Sequence, residues 1–223
     1  SGALPVGITG GEPLEIAAWV FLPDALPERP TVISLQSGGT YDRRYFHIDV
    51  PGRTDYSCAE YLRARGHVVI LTDYLGIGAS GRAKDQMLAD RQVCAVANRA
   101  ALSQIYAGLR DGTVSPGFPA LPQFCKAGGG HSMGGFQTIT QQAAHRTYDL
   151  CLILGYTAFG VQLTVGGQMV SADPGKLDPT QPDYSLRDRA FLRSTFHWEN
   201  VPDDVIAVDD SLLVEVPYVL SMQ

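Results

Sequence analysis

No apolar run in this chain of 223 residues approaches the roughly 18 needed to cross a bilayer. The first residues, Ser1-Gly2-Ala3, also lack the charged-then-apolar pattern of an export signal, so the chain reads as soluble, with any leader already removed. Lysine is scarce: the 17 basic residues are almost all arginine and are scattered against 23 acidic ones, for a net charge of −6. Without a basic stripe there is nothing to hold a phosphate backbone, and nucleic acid is excluded as an expected partner. Cysteine is sparse as well. Cys58, Cys94, Cys125 and Cys151 are far apart with no C-x-x-C pair, which argues against a zinc site or a dithiol redox motif. They fit buried thiols in a cytoplasmic protein or up to two disulfides in a secreted one. Cys125 and Cys151 come within bridging reach only if their strands are neighbours. No internal repeat or low-complexity tract is present either, so one domain with an insertion is expected.

What is present is 45% hydrophobic and 18% charged, enough for one well-buried core. Apolar, β-rich runs occur at 14–22, 31–36, 67–72, 150–157 and 217–222, several of them apolar on consecutive positions as strands covered on both faces must be. Helix-like stretches lie between them at 54–65, where Thr54 or Asp55 could cap and Gly66 ends the run, and at 87–110 and 135–146. Strands alternating with helices predict an α/β fold with a mainly parallel sheet covered by helices on both faces. The rhythm breaks at 158–213, which is rich in turns and then returns to helical spacing between Leu186 and Trp198. We therefore expect a core at 1–157, a mostly helical cap or lid at 158–213, and the start of a late core strand at 214–223.

One short segment carries chemistry. Gly130-His131-Ser132-Met133-Gly134-Gly135 contains G-x-S-x-G, the strand-to-helix turn known as the nucleophile elbow. Presenting a serine hydroxyl at the tip of a sheet requires the chain to reverse within two residues. Ser132 then takes a strained backbone conformation, and its neighbours at −2 and +2 must lack side chains. The helix that follows aims its N-terminus at the site, so the Met133 N–H can donate to a developing oxyanion.

Two upstream segments add context: Gln36-Ser37-Gly38-Gly39-Thr40-Tyr41-Asp42 after one expected strand, and Asp73-Tyr74-Leu75-Gly76-Ile77-Gly78-Ala79-Ser80 after the next. A glycine-bearing loop, a D-x-x-G-x-G-x-S turn and G-H-S-M-G-G, in that order, resemble the α/β-hydrolase family. The resemblance covers 14–157 and implies Ser132 as nucleophile, with oxyanion donors at Met133 and at Gly39 or Thr40. Ser37 stands where the family often has His. A serine nucleophile favours acyl transfer on a carboxylic ester or related acyl compound, with no cofactor and no metal.

A serine nucleophile needs a histidine and a carboxylate, which the family places after it in the order Asp or Glu, then His. Only His145 and His197 follow Ser132. His145 lies three turns along the elbow helix, too far for contact. His197 could serve with Asp183 or Asp188; otherwise acid and base lie outside this chain, on a second polypeptide carrying the C-terminal strands. Phe159, Phe191, Phe196 and Trp198, with His131 and His197, are candidate contacts for a small apolar acyl substrate, and His47 a more generous one. An acyltransferase, or a binding module that keeps the serine without a base, are the alternative functions.

Overall fold

The computed structural model describes residues 4, 6–157, 162–165, 168–171, 180, 182–186, 188, 190, 193, 197 and 199–221. Its centre is a five-stranded sheet of β1 (Ala18–Phe21), β2 (Thr31–Gln36), β3 (Val68–Thr72), β4 (Cys125–His131) and β5 (Leu150–Leu154), in the spatial order β1-β3-β2-β4-β5. β1 runs antiparallel to β3; the other pairings are parallel.

Alternate residues of the two apolar strands point to opposite faces, as the pleat requires. Val32, Val68 and Ile70 pack with Leu102, Tyr106 and Leu109 of α3 (Arg91–Asp111), whereas Ile33, Leu35, Val69 and Leu71 pack toward Ala59 and Leu62 of α2 (Cys58–Arg63). Both faces are thus covered, as consecutive apolar residues demand. Helix starts follow side-chain chemistry. Asp90 caps α3 by accepting from the Val93 N–H, and Gly112, at φ 72°, ends it. For α2 the cap is Ser57, two or three residues later than the Asp55 or Thr54 expected, because the Ser57 hydroxyl accepts from the Glu60 N–H.

β4 has little apolar side chain and three successive glycines, yet it is the strand feeding the site. Its glycines are filled from outside. A β-carbon at Gly128 would overlap the Tyr148 ring, and one at Gly129 would lie 2.7 Å from Leu152 Cβ. The four cysteines are free. β4 and β5 are indeed neighbours, but their register sets Cys151 opposite Gly128, so Cys125 has no bridging partner.

Beyond β5 the described residues form a two-stranded antiparallel pair, Gln162–Val165 with Gln168–Ser171, and helix Asp203–Ser211, so this part of the expected cap is not purely helical. The core strand expected at 214–223 is corrected. Val216–Pro217 pairs antiparallel with Tyr184–Ser185, apart from the main sheet, and Tyr218–Ser221 is helical. The reason is local: Pro217 has no N–H for a ladder, and Val216, Val219 and Leu220 are buried at i, i+3 and i+4, a helical spacing. No helix among the described residues is long and apolar enough to cross a membrane.

Candidate active site

β4 ends at His131, and α4 (Met133–His145) begins two residues later. Ser132 between them has φ 51° and ψ −112°, outside the regions open to an unstrained L-residue. Its N–H donates to the Leu154 carbonyl at 2.8 Å and its carbonyl accepts from Phe136 N–H at 3.1 Å, so the turn is fixed on both sides. The flanking glycines are required by space. A β-carbon at Gly130 would fall 2.7 Å from the Gln36 carbonyl oxygen; one at Gly134 would overlap that same oxygen and lie 2.7 Å from the Ser37 carbonyl oxygen. Gly134→Ala should therefore cost about 1–3 kcal/mol or more by overpacking against backbone. Urea denaturation measures this, and a variant as stable as the parent would contradict the packing described.

The loop after β2 closes over this turn. A β-carbon on Gly38 would be 3.8 Å from Ser132 Cβ, and one on Gly39 4.0 Å from Met133 Sδ. Ser37, standing where a histidine was looked for, donates its hydroxyl to the Tyr41 carbonyl at 2.8 Å, while Tyr74 donates to the Ser37 carbonyl at 2.6 Å. Thr40 takes φ 75°, and its carbonyl accepts from the Val214 N–H at 3.2 Å. Tyr41 also bridges to Leu213. The chain just beyond helix Asp203–Ser211 therefore pins the loop that holds both expected oxyanion positions, Gly39 and Thr40.

Next to the loop, Tyr45 in the 3-10 turn Arg43–Phe46 stacks on His131, with centroids 5.7 Å apart and planes 10° apart. Its hydroxyl lies 3.0 Å from His131 Nδ1. Burial raises the Tyr45 phenol pKa, with Asp209 adding to the effect, and burial holds the His131 pKa below its ordinary 6.5. Because the folded value is the lower one, the stability His131 contributes is present above pH 6.5 and is lost as pH falls through the folded value. Melting temperatures taken from pH 8 down to pH 5 should fall less steeply for His131→Asn than for the parent.

The structure corrects the pairing expected for His197. Its Nε2 lies 2.9 Å from Asp209 Oδ2, both side chains largely buried, whereas Asp183 and Asp188 are exposed. Sequence reasoning missed Asp209 and Tyr45: several aspartates flank His197, and nothing local marks which one folds back to it. His47, the more generous substrate contact, is engaged within the chain. It lies 2.7 Å from the Ser57 hydroxyl and packs on Trp19 and Phe21. His145 is the last residue of α4. Phe159, Phe191, Phe196 and Trp198 lie outside the described residues.

Known structures share this arrangement of strands and helices. A mutant of the N-acyl homoserine lactonase AidH, complexed with N-hexanoyl homoserine lactone, superposes with a TM-score of 0.50 at 15% identity, over 88% of this chain and 61% of that one. The chain has the α/β-hydrolase fold. Two other similar structures are a probable hydrolytic enzyme from Pseudomonas aeruginosa (21% identity, TM-score 0.46, 63% of this chain and 36% of that one) and a thermophilic esterase from Thermogutta terrifontis. The second is 19% identical with a TM-score of 0.42, over 66% of this chain and 43% of that one. The α/β-hydrolase chain described here thus spans 36 to 61% of the length of these structures. No protein-family model and no curated protein matches it.

Proposed function

We propose that this chain is the nucleophile-bearing part of a serine hydrolase that forms an acyl-enzyme at Ser132 on a carboxylic ester or related acyl substrate. The observation that carries the reading is the Ser132 backbone, at φ 51° and ψ −112°, between two glycines whose hydrogens face carbonyl oxygens. Strain of this kind, of order 1–3 kcal/mol, persists where surrounding structure enforces it, as at catalytic turns. The Met133 N–H, at the start of α4, and an N–H of Gly39 or Thr40 are the oxyanion donors in this reading. The similar structure at a TM-score of 0.50 is a lactonase, which agrees with cleavage of an ester-type bond.

The acid and base of the triad come from a further polypeptide segment in this reading. β5 pairs only with β4 among the described residues, and Leu150, Ile153 and Leu154 on it are 52%, 37% and 42% exposed. An open apolar edge of a parallel sheet is where another strand adds. The test is a fluorophosphonate probe on the protein as purified, with intact mass taken first to reveal any co-purifying chain. Ser132 Oγ bonds to phosphorus, fluoride leaves, and the hydroxyl proton is released. Peptide mapping should place the adduct on Ser132; a protein that never labels with all its chains present is a binding module instead.

A further inference from the structure

His131 adjoins the nucleophile but turns away from it, as successive side chains at a strand end do. Its imidazole occupies a slot between two glycines on different loops. A β-carbon at Gly38, after β2, would lie 3.1 Å from Nδ1, and one at Gly155, after β5, would lie 2.8 Å from Nε2. The ring therefore fills the space where the C-terminal ends of β2, β4 and β5 converge, and neither neighbour can carry a side chain without displacing it.

Tyr45 fixes the ring from a third direction, stacked on it and 3.0 Å from Nδ1. Tyr45 is itself held. Its 3-10 turn begins at Arg43, which is anchored on Asp73 by backbone and side chain, and its ring packs against Tyr41 and Phe46. A continuous set of contacts thus runs from Asp73 through Arg43, Tyr45 and His131 to Gly38. Gly38 opens the loop that carries the expected oxyanion donors, and it lies against the Ser132 turn, a β-carbon there falling 3.8 Å from Ser132 Cβ. His131 is bonded to Ser132 and its ring bears on Gly38, so a rigid ring sets the distance between loop and turn, and oxyanion donors lose their effect when misplaced by about 1 Å.

We propose that His131 and Tyr45 are positioning residues that fix the spacing between the Gly38–Thr40 loop and the Ser132 turn, and so set the rate at which Ser132 is acylated. The inference rests on Ser132 being the nucleophile. The Tyr45 hydroxyl and His131 Nδ1 share one hydrogen bond, at 3.0 Å. Neither side chain touches the reacting atoms.

The test is the second-order rate of fluorophosphonate labelling on the purified protein with any chain that accompanies it, together with melting temperatures. Tyr45→Phe, which removes one neutral hydrogen bond and keeps the stacked ring, should slow labelling roughly 3- to 10-fold while lowering the melting temperature by only a few degrees. His131→Ala should slow it further. His131→Asn, whose side-chain amide replaces Nδ1 as the partner of the Tyr45 hydroxyl, should return to within about threefold of the parent. Adding Tyr45→Phe to His131→Ala should cost nothing more, because the partner is already gone. If His131→Ala does not fold, the Tyr45→Phe and His131→Asn rates decide alone. A parent that labels while these variants label equally fast, with or without a lowered melting temperature, overturns the inference and leaves the nucleophile standing. A parent that never labels removes the serine-hydrolase reading and this inference with it.

Discussion

Ser132→Ala should lose fluorophosphonate labelling altogether, and any ester hydrolysis should fall by on the order of 10⁴- to 10⁶-fold in kcat, the range seen when a nucleophilic serine is removed from an intact triad. The fold should survive. Alanine keeps the β-carbon, so the backbone at φ 51° and ψ −112° is no worse off, and Ser132 makes no side-chain capping bond that the substitution could remove. Ser132→Gly separates chemistry from strain. It should be equally inactive yet more stable than Ser132→Ala by up to about 2 kcal/mol, because glycine adopts this backbone freely while losing somewhat more entropy on folding. Equal melting temperatures for the two variants would show that the turn is not strained. A labelled Ser132→Ala would place the nucleophile elsewhere.

The turn was readable from sequence because its constraint is local: Gly130, Ser132 and Gly134 stand within five residues, and each is explained by what the reversal demands of its own backbone. The sheet was readable for a similar reason, since Val32 and Ile33, and Val68 to Leu71, are apolar on consecutive positions and a doubly covered strand satisfies that. β4 was harder. Its glycines remove the apolar signal, and their explanation, the Tyr148 ring and Leu152, comes from residues after the turn. The pairing of His197 with Asp209 and the stacking of Tyr45 on His131 join segments 12 and 86 residues apart, and nothing in the intervening sequence specifies either. The segment at 216–221 misled because valine, tyrosine and leucine favour strands, whereas burial at i, i+3 and i+4 against Tyr74, Leu75 and Ile77 selects a helical turn.

Asp73 carries the largest stability effect expected in the molecule. It is fully buried and accepts from the Arg43 N–H at 2.6 Å and the Ala79 N–H at 2.9 Å while pairing with the Arg43 guanidinium, which lies over the Trp19 ring at 4.7 Å. Burial pushes the Asp73 carboxyl pKa up, and the two N–H donors and the Arg43 charge oppose that shift. Gly78, at φ 59°, presses so close that a β-carbon there would overlap the carboxylate, leaving no room to rearrange. Asp73→Ala strands two backbone donors and a mostly buried guanidinium, so it should destabilise by about 3–5 kcal/mol, the range for breaking a buried ion pair from one side. In a chain of this size that is roughly 6 to 20 °C in melting temperature. Arg43→Ala in the Asp73→Ala background should then add little, since the stranded charge is gone. Because Arg43 opens the turn that carries Tyr45, Asp73→Ala should also slow labelling of Ser132 in the fraction that remains folded. A urea denaturation free energy within about 1 kcal/mol of the parent, with labelling unchanged, would mean that the loop over the nucleophile is held by other contacts.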